Sequence, residues 1–188
     1  MTVANLITFL RVLLVPLIVW AMLSDCILIA FVLLILAGLS DAIDGSVARL
    51  FNQQSKLGTL LDPFADKILL VSVFIVLSYL GHLPIWLVVL VASRDMLILS
   101  SIIIAFFLGK PLLIKPLWIS KLNTLTQIIL TSLILGFLVF NVKIPILKSS
   151  LEWITGFLTA LSAIIYSIQG SRHFMSTNTK SPLIESIE

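Results

Sequence analysis

Charge is what this chain has least of. Of its 188 residues 11% are Asp, Glu, Lys or Arg, where a soluble domain carries about 25%. Hydrophobic residues make up 60% and the mean hydropathy is +1.19. That balance excludes an ordinary soluble domain and points to an all-α integral membrane protein. Cysteine is nearly absent: Cys26 alone forms no intrachain disulfide and gives no support to a metal–thiolate site. There is no internal repeat, low-complexity tract or heptad pattern. The basic residues are dispersed and lack interleaved aromatics, so nucleic-acid binding has no footprint here.

What is present is a set of nearly charge-free runs, at 6–23, 26–40, 68–93, 96–109, 122–142 and 153–171. About 20 helical residues cross the ~30 Å hydrocarbon layer. The second run reaches that length only if its helix continues to about Leu50, and the third needs a start near Thr59. Six transmembrane helices follow, in one domain over 1–175 with a polar tail at 176–188. Arg11 interrupts the first run, and no small-x-small site follows it, so the run reads as retained, with a short interfacial segment at 2–10 leading into it. Turns are expected at 24–25, 52–58, 81–84, 109–111 and 141–150.

With six spans both termini share a face with the 50–59 and 109–120 connections. That face holds or borders Arg11, Arg49, Lys56, Lys67, Lys110, Lys115, Lys121, Arg172 and Lys180, whereas the other has Lys143 and Lys148. The positive-inside rule then makes the termini cytoplasmic, and a basic rim suits anionic headgroups.

Against this background stand four carboxylates, Asp41, Asp44, Asp62 and Asp66, in the connection of the second and third runs. Each costs roughly 2.5–3.5 kcal/mol in hydrocarbon, so they need compensation. On helices Asp41 and Asp44 share a face, as do Asp62 and Asp66. If the helices are antiparallel neighbours, all four occupy one slab beneath the cytoplasmic surface. Oxygen donors without His or Cys select Mg²⁺, Mn²⁺ or Ca²⁺ over zinc, and four carboxylates suffice for two cations of the kind used in phosphoryl chemistry. Gly45 and Ala48 would leave bare helix surface for a nucleotide, and Arg49 offers a forked donor for phosphate. Each also has a plainer reading: helix packing for Gly45 and Ala48, a rim charge for Arg49, and an N-cap with Pro63 at N1 for Asp62. No single plain reading covers all four acids.

Asp41-x2-Asp44-Gly45-x2-Ala48-Arg49-x8-Gly58-x3-Asp62-x3-Asp66 resembles the signature of the CDP-alcohol phosphatidyltransferases at every fixed position, and the resemblance extends over roughly 4–172. It implies an enzyme that transfers the phosphatidyl group of CDP-diacylglycerol to an alcohol and releases CMP. It implies two divalent cations, Mg²⁺ or Mn²⁺, on Asp41, Asp44, Asp62 and Asp66, with Asp66 as general base. Gly45, Ala48, Arg49 and Gly58 would hold the nucleotide, and family members are commonly homodimers in the bilayer, here expected in a bacterial inner membrane with the site facing the cytoplasm.

The entry segment 4–11, with Asn5 and Thr8, looks like that of the glycerol-type branch; both residues could equally cap an interfacial helix. Ser93-Arg94-Asp95, then 119–124 and Gln127, are similar to the branch that uses phosphatidylglycerol and makes cardiolipin. Branches using glycerol 3-phosphate are more basic here, and that acceptor stands as the alternative. Arg94, Lys121 and Asn123 are the candidate acceptor residues. Arg94 and Asp95 lie about 100° apart on a helix, so a direct pair between them is not expected; Arg94 could instead meet an acid such as Asp66 or Asp95 of a neighbour. Lys121 could simply snorkel. His82, at an outer turn, is assigned no function. A cation transporter using the acids is the remote rival.

Overall fold

The computed structural model describes the backbone of residues 3–51, 56–107 and 118–178, and the side chains of 12–39, 65, 67–100 and 118–168. Six α-helices follow in order: α1 (Val3–Leu23), α2 (Ile27–Phe51), α3 (Lys56–Tyr79), α4 (Ile85–Phe107), α5 (Trp118–Val139) and α6 (Pro145–Asn178), with no strand among the described residues.

Three tight turns share one device for ending a helix. Asp25, Gly81 and Asn141 adopt φ of 58°, 76° and 53°, the left-handed conformation that stops a helix. The next N–H then bonds five residues back: Cys26 to Ala21 at 2.9 Å, His82 to Leu77 at 2.8 Å and Val142 to Phe137 at 3.0 Å. All three turns close on one face of an up-and-down bundle. Of the other expected turns, 52–55 and 109–111 lie outside the described residues, and 56–58 belong to α3 rather than to a turn.

Among the described residues the helices pack in the cyclic order α1, α2, α5, α6, α4, α3, with α3 also meeting α5 across the interior. Buried positions recur at helical spacing, as in Ala30, Leu34 and Ala37 of α2 or Leu69, Val73 and Leu77 of α3. The outward faces are also apolar: Leu28, Val32, Ile35 and Leu39 of α2 are exposed. Helices hydrophobic all round suit lipid. The fully buried set meanwhile includes Arg94, Asp95, Asn123, Gln127, Thr155, Thr159 and Ser162. Polar groups gathered inside an apolar exterior are the arrangement a bilayer selects. Two described stretches, Trp118–Val139 and Pro145–Ile168, are long and apolar enough to cross a membrane.

The six helices stand where the hydrophobic runs place them, with four differences. The segment at 2–10 is not set apart, because α1 runs unbroken through Arg11. α3 begins at Lys56, so Pro63 is interior to it and Asp62 is not its N-cap. α6 starts at Pro145 rather than after Ser150, since proline is well suited to the first helical position and Lys148 and Glu152 stand one turn apart. It also continues beyond Arg172 to Asn178. Finally, α2 and α3 do not pack on each other among the described residues; α1 packs on both.

Candidate active site

α2 runs through Asp41 and Asp44 to Phe51, and α3 carries Asp62 and Asp66 from its start at Lys56. Helical rise puts Asp44 and Asp62 about 10 and 9 Å from those ends, and Asp41 and Asp66 both about 15 Å from them. Counted from those ends, the two pairs stand at similar distances along their own helices. Four residues connect Phe51 to Lys56, which limits the separation of the two helix ends to about 18 Å. Gly45, Ala48 and Arg49 belong to the final turns of α2, Gly58 to the first turn of α3, and Asn5 and Thr8 to the start of α1. The side chains of all ten of these candidate residues lie outside the described residues. Pro63 brings no N–H to the carbonyl of Thr59, an interruption membrane helices tolerate.

Directly after Asp66, Lys67 enters a polar network at the level of the acids. Its Nζ lies 3.0 Å from Asp95 Oδ1 on α4. Arg94 Nη1 donates to the same oxygen at 2.6 Å. Arg94 Nε and Nη2 donate to Ser162 Oγ of α6 at 3.2 and 3.0 Å, and Nη2 also donates to Ser120 Oγ of α5. The ring of Tyr166 lies 5.7 Å from the guanidinium carbon. With Arg94 only 1% exposed, one cation ties α4, α5 and α6 together while Asp95 draws in α3. The expectation that Arg94 and Asp95 cannot pair is thus corrected. The arginine stem is long enough to curl back beside its neighbour, and burial rewards the contact.

A second layer lies beside the first. Thr159 Oγ1 is 2.7 Å from both Asn123 Oδ1 and the Thr155 carbonyl. One hydroxyl proton serves one acceptor, so the consistent arrangement turns the Asn123 amide to donate to Thr159, which donates to Thr155. Neither amide atom of Gln127, one turn along α5, has a partner among the described residues, and Gln127 is fully buried.

The three candidate acceptor residues are therefore not brought together as one open set. Arg94 and Asn123 are interior and share the α6 face of Ser162 and Thr159. Lys121 is exposed, with Nζ 5.5 Å from the Trp118 ring. The residues that sequence reasoning missed are Lys67, Ser120, Ser162 and Tyr166. Ser120 and Lys67 stood within or beside motifs already quoted, but serine and tyrosine on an apolar helix carry no distinguishing signal.

A family model described as CDP-alcohol phosphatidyltransferase matches residues 1–164. The chain belongs to the CDP-alcohol phosphatidyltransferase family. Similar relatives include the CMP-forming cardiolipin synthases of Rattus norvegicus and Homo sapiens, each 33% identical over 91% of this chain and 62% of its own length. The CMP-forming cardiolipin synthase of Streptomyces coelicolor is 36% identical over 54% of this chain and 50% of its own. The chain thus spans about three fifths of the length of the mammalian relatives. Within this family's signature, the acid-bearing ends of α2 and α3 are the candidate active site, and the Arg94–Asp95–Lys67 network is the frame next to them.

Proposed function

We propose that this chain is a six-span membrane phosphatidyltransferase that transfers the phosphatidyl group of CDP-diacylglycerol to phosphatidylglycerol, giving cardiolipin and CMP. The observation that carries the reading is the complete signature, laid on two consecutive helices with its acids at similar distances from the helix ends, in a chain of this family. The similarity to cardiolipin synthases supports the choice of acceptor. The basic residues of the connections support a site facing the cytoplasm. A homodimer belongs to the same proposal.

An all-oxygen donor set of Asp41, Asp44, Asp62 and Asp66, on helices continuous through the motif, fits two hard divalent cations, Mg²⁺ or Mn²⁺. When bound, they would neutralise charge on the diphosphate and on departing CMP. Arg49 would fork onto phosphate oxygens, while Gly45, Ala48 and Gly58 leave room for the nucleotide, with Asn5 and Thr8 at its edge. The acceptor hydroxyl oxygen bonds to the phosphatidyl phosphorus, the P–O bond to CMP breaks, and the hydroxyl proton passes to Asp66.

Glycerol 3-phosphate is the second acceptor considered. Its free phosphate calls for accessible cations, yet Arg94 spends most of its donors on Asp95, Ser120 and Ser162. That favours phosphatidylglycerol. Purified protein supplied with labelled CDP-diacylglycerol and each acceptor decides the matter. CMP release with phosphatidylglycerol is the expected result. Release with glycerol 3-phosphate alone overturns the acceptor, and ion flux in liposomes without CMP release would move the assignment to the cation transporter.

A further inference from the structure

On the face opposite the acids, a cavity of about 360 Å³ opens between the α5–α6 connection and the α3–α4 turn. Ile134, Phe137 and Leu138 of α5 wall it, and His82, Lys143 and Lys148 line it as well. No other Lys or Arg occurs in the three turns of this face, so both of its lysines meet at one cavity. Lys143 is exposed and makes no ion pair among the described residues. Lys148 Nζ lies 3.7 Å from Glu152 Oε1, a contact too long to satisfy it fully. Burial first, and Lys148 second, push the His82 imidazole below its usual range. It is thus neutral at pH 7 and offers a hydrogen bond rather than a third charge.

The level of the cavity in the membrane is marked by aromatics. Trp86 and Trp153 are exposed, with ring centroids 5.2 Å apart. Trp86 stands at the amino end of α4 beside the His82 turn, and Trp153 lies just over one turn beyond Lys148. Paired exposed tryptophans favour the headgroup layer. An apolar pocket with a cationic mouth at that depth matches one chemistry: a phosphate diester carrying hydrocarbon.

We propose that this cavity binds one anionic phospholipid of the leaflet at this face, its phosphate between Lys143 and Lys148 and its first acyl carbons against Ile134, Phe137 and Leu138. The volume accommodates the phosphoglycerol region and the upper chain, leaving the remaining hydrocarbon on the lipid-facing surface. The site is separated from the acids by the length of the bundle, so it is independent of the catalytic reading, and either can fail alone.

Native mass spectrometry of the full chain in neutral detergent tests it with phosphatidylserine, whose headgroup has no free hydroxyl to act as an acceptor. Retention over phosphatidylcholine is expected, with a loss of about fivefold for each lysine removed in Lys143→Gln and Lys148→Gln. The charge-conserving pair Lys143→Arg and Lys148→Arg should retain the lipid and show that the variants fold. Equal retention of phosphatidylcholine, or undiminished phosphatidylserine binding by the doubly neutralised chain, overturns the proposal. So does full displacement by inorganic phosphate, which would make this a site for a free anion.

Discussion

Arg94 and Asp95 are consecutive on α4, yet the Arg94 Nη1 to Asp95 Oδ1 hydrogen bond is 2.6 Å long and both side chains are buried. The same carboxylate oxygen lies 3.0 Å from Lys67, so among the described residues one acid contacts two cations. Asp95→Asn should therefore destabilise the fold by about 3–5 kcal/mol, the usual cost of stranding a buried charge. A fall in thermal midpoint, with any surviving enzyme retaining its affinity for CDP-diacylglycerol, is the expected outcome. An unchanged midpoint would show that the network is not a frame.

The acids themselves call for a different pattern. Asp66→Asn should abolish turnover while CDP-diacylglycerol binding largely persists, whereas Asp44→Asn should lose cation and nucleotide binding together. Excess chelator should silence the unmodified protein, and Mg²⁺ or Mn²⁺ should restore it. Retention of activity in both variants would refute a reaction centred on these carboxylates.

Gln127 is fully buried, and neither of its amide atoms has a partner among the described residues. Such groups cost about 1–3 kcal/mol each when left unsatisfied. Gln127→Leu, similar in volume and free of that cost, should hold or raise the thermal midpoint. A marked fall would mean that the amide is satisfied by something the leucine displaces.

Gly156 is the tightest small-residue contact described. A Cβ there would come within 2.7 Å of Trp86 Cζ3 and 2.8 Å of Cη2. Gly156→Ala should destabilise by about 1–3 kcal/mol through overpacking between α4 and α6. Combining it with Trp86→Leu should recover part of the loss, and strict additivity of the two changes would exclude the contact as the cause.

His82 supplies a pH signature. Its pKa in the fold lies below the usual 6.5 because burial, then Lys148, disfavour the charged form. The unfolded chain consequently binds more protons as pH falls through 6.5, and stability declines in that window. His82→Gln should flatten the dependence of the thermal midpoint between pH 7 and about 5. An unaltered slope would assign the effect to another group.

Which parts of this could be read in advance follows from the kind of signal involved. Hydrophobic run lengths place six helices because a bilayer sets the length of a span. The fixed spacing of Asp41, Asp44, Asp62 and Asp66 points to the family because four acids at set helical registers in an apolar chain form a pattern that composition alone would not produce. Helix ends were less legible: Pro145 and Pro63 are both prolines, one opening a helix and the other inside one, and only the surrounding chain distinguishes them.

Partner choice for long side chains was hidden altogether. Arg94 could be marked as unusual from composition, since a cation in an apolar run needs a counterion. That it would meet Asp95, Ser120 and Ser162 depends on how α5 and α6 bring residues 26 and 68 positions away to its guanidinium. Linear order thus decided the apolar character, the helices and the family of this protein, because those follow from composition and local spacing. The packed bundle alone decided which polar groups meet, because contacts between distant segments depend on how whole helices are arranged in space.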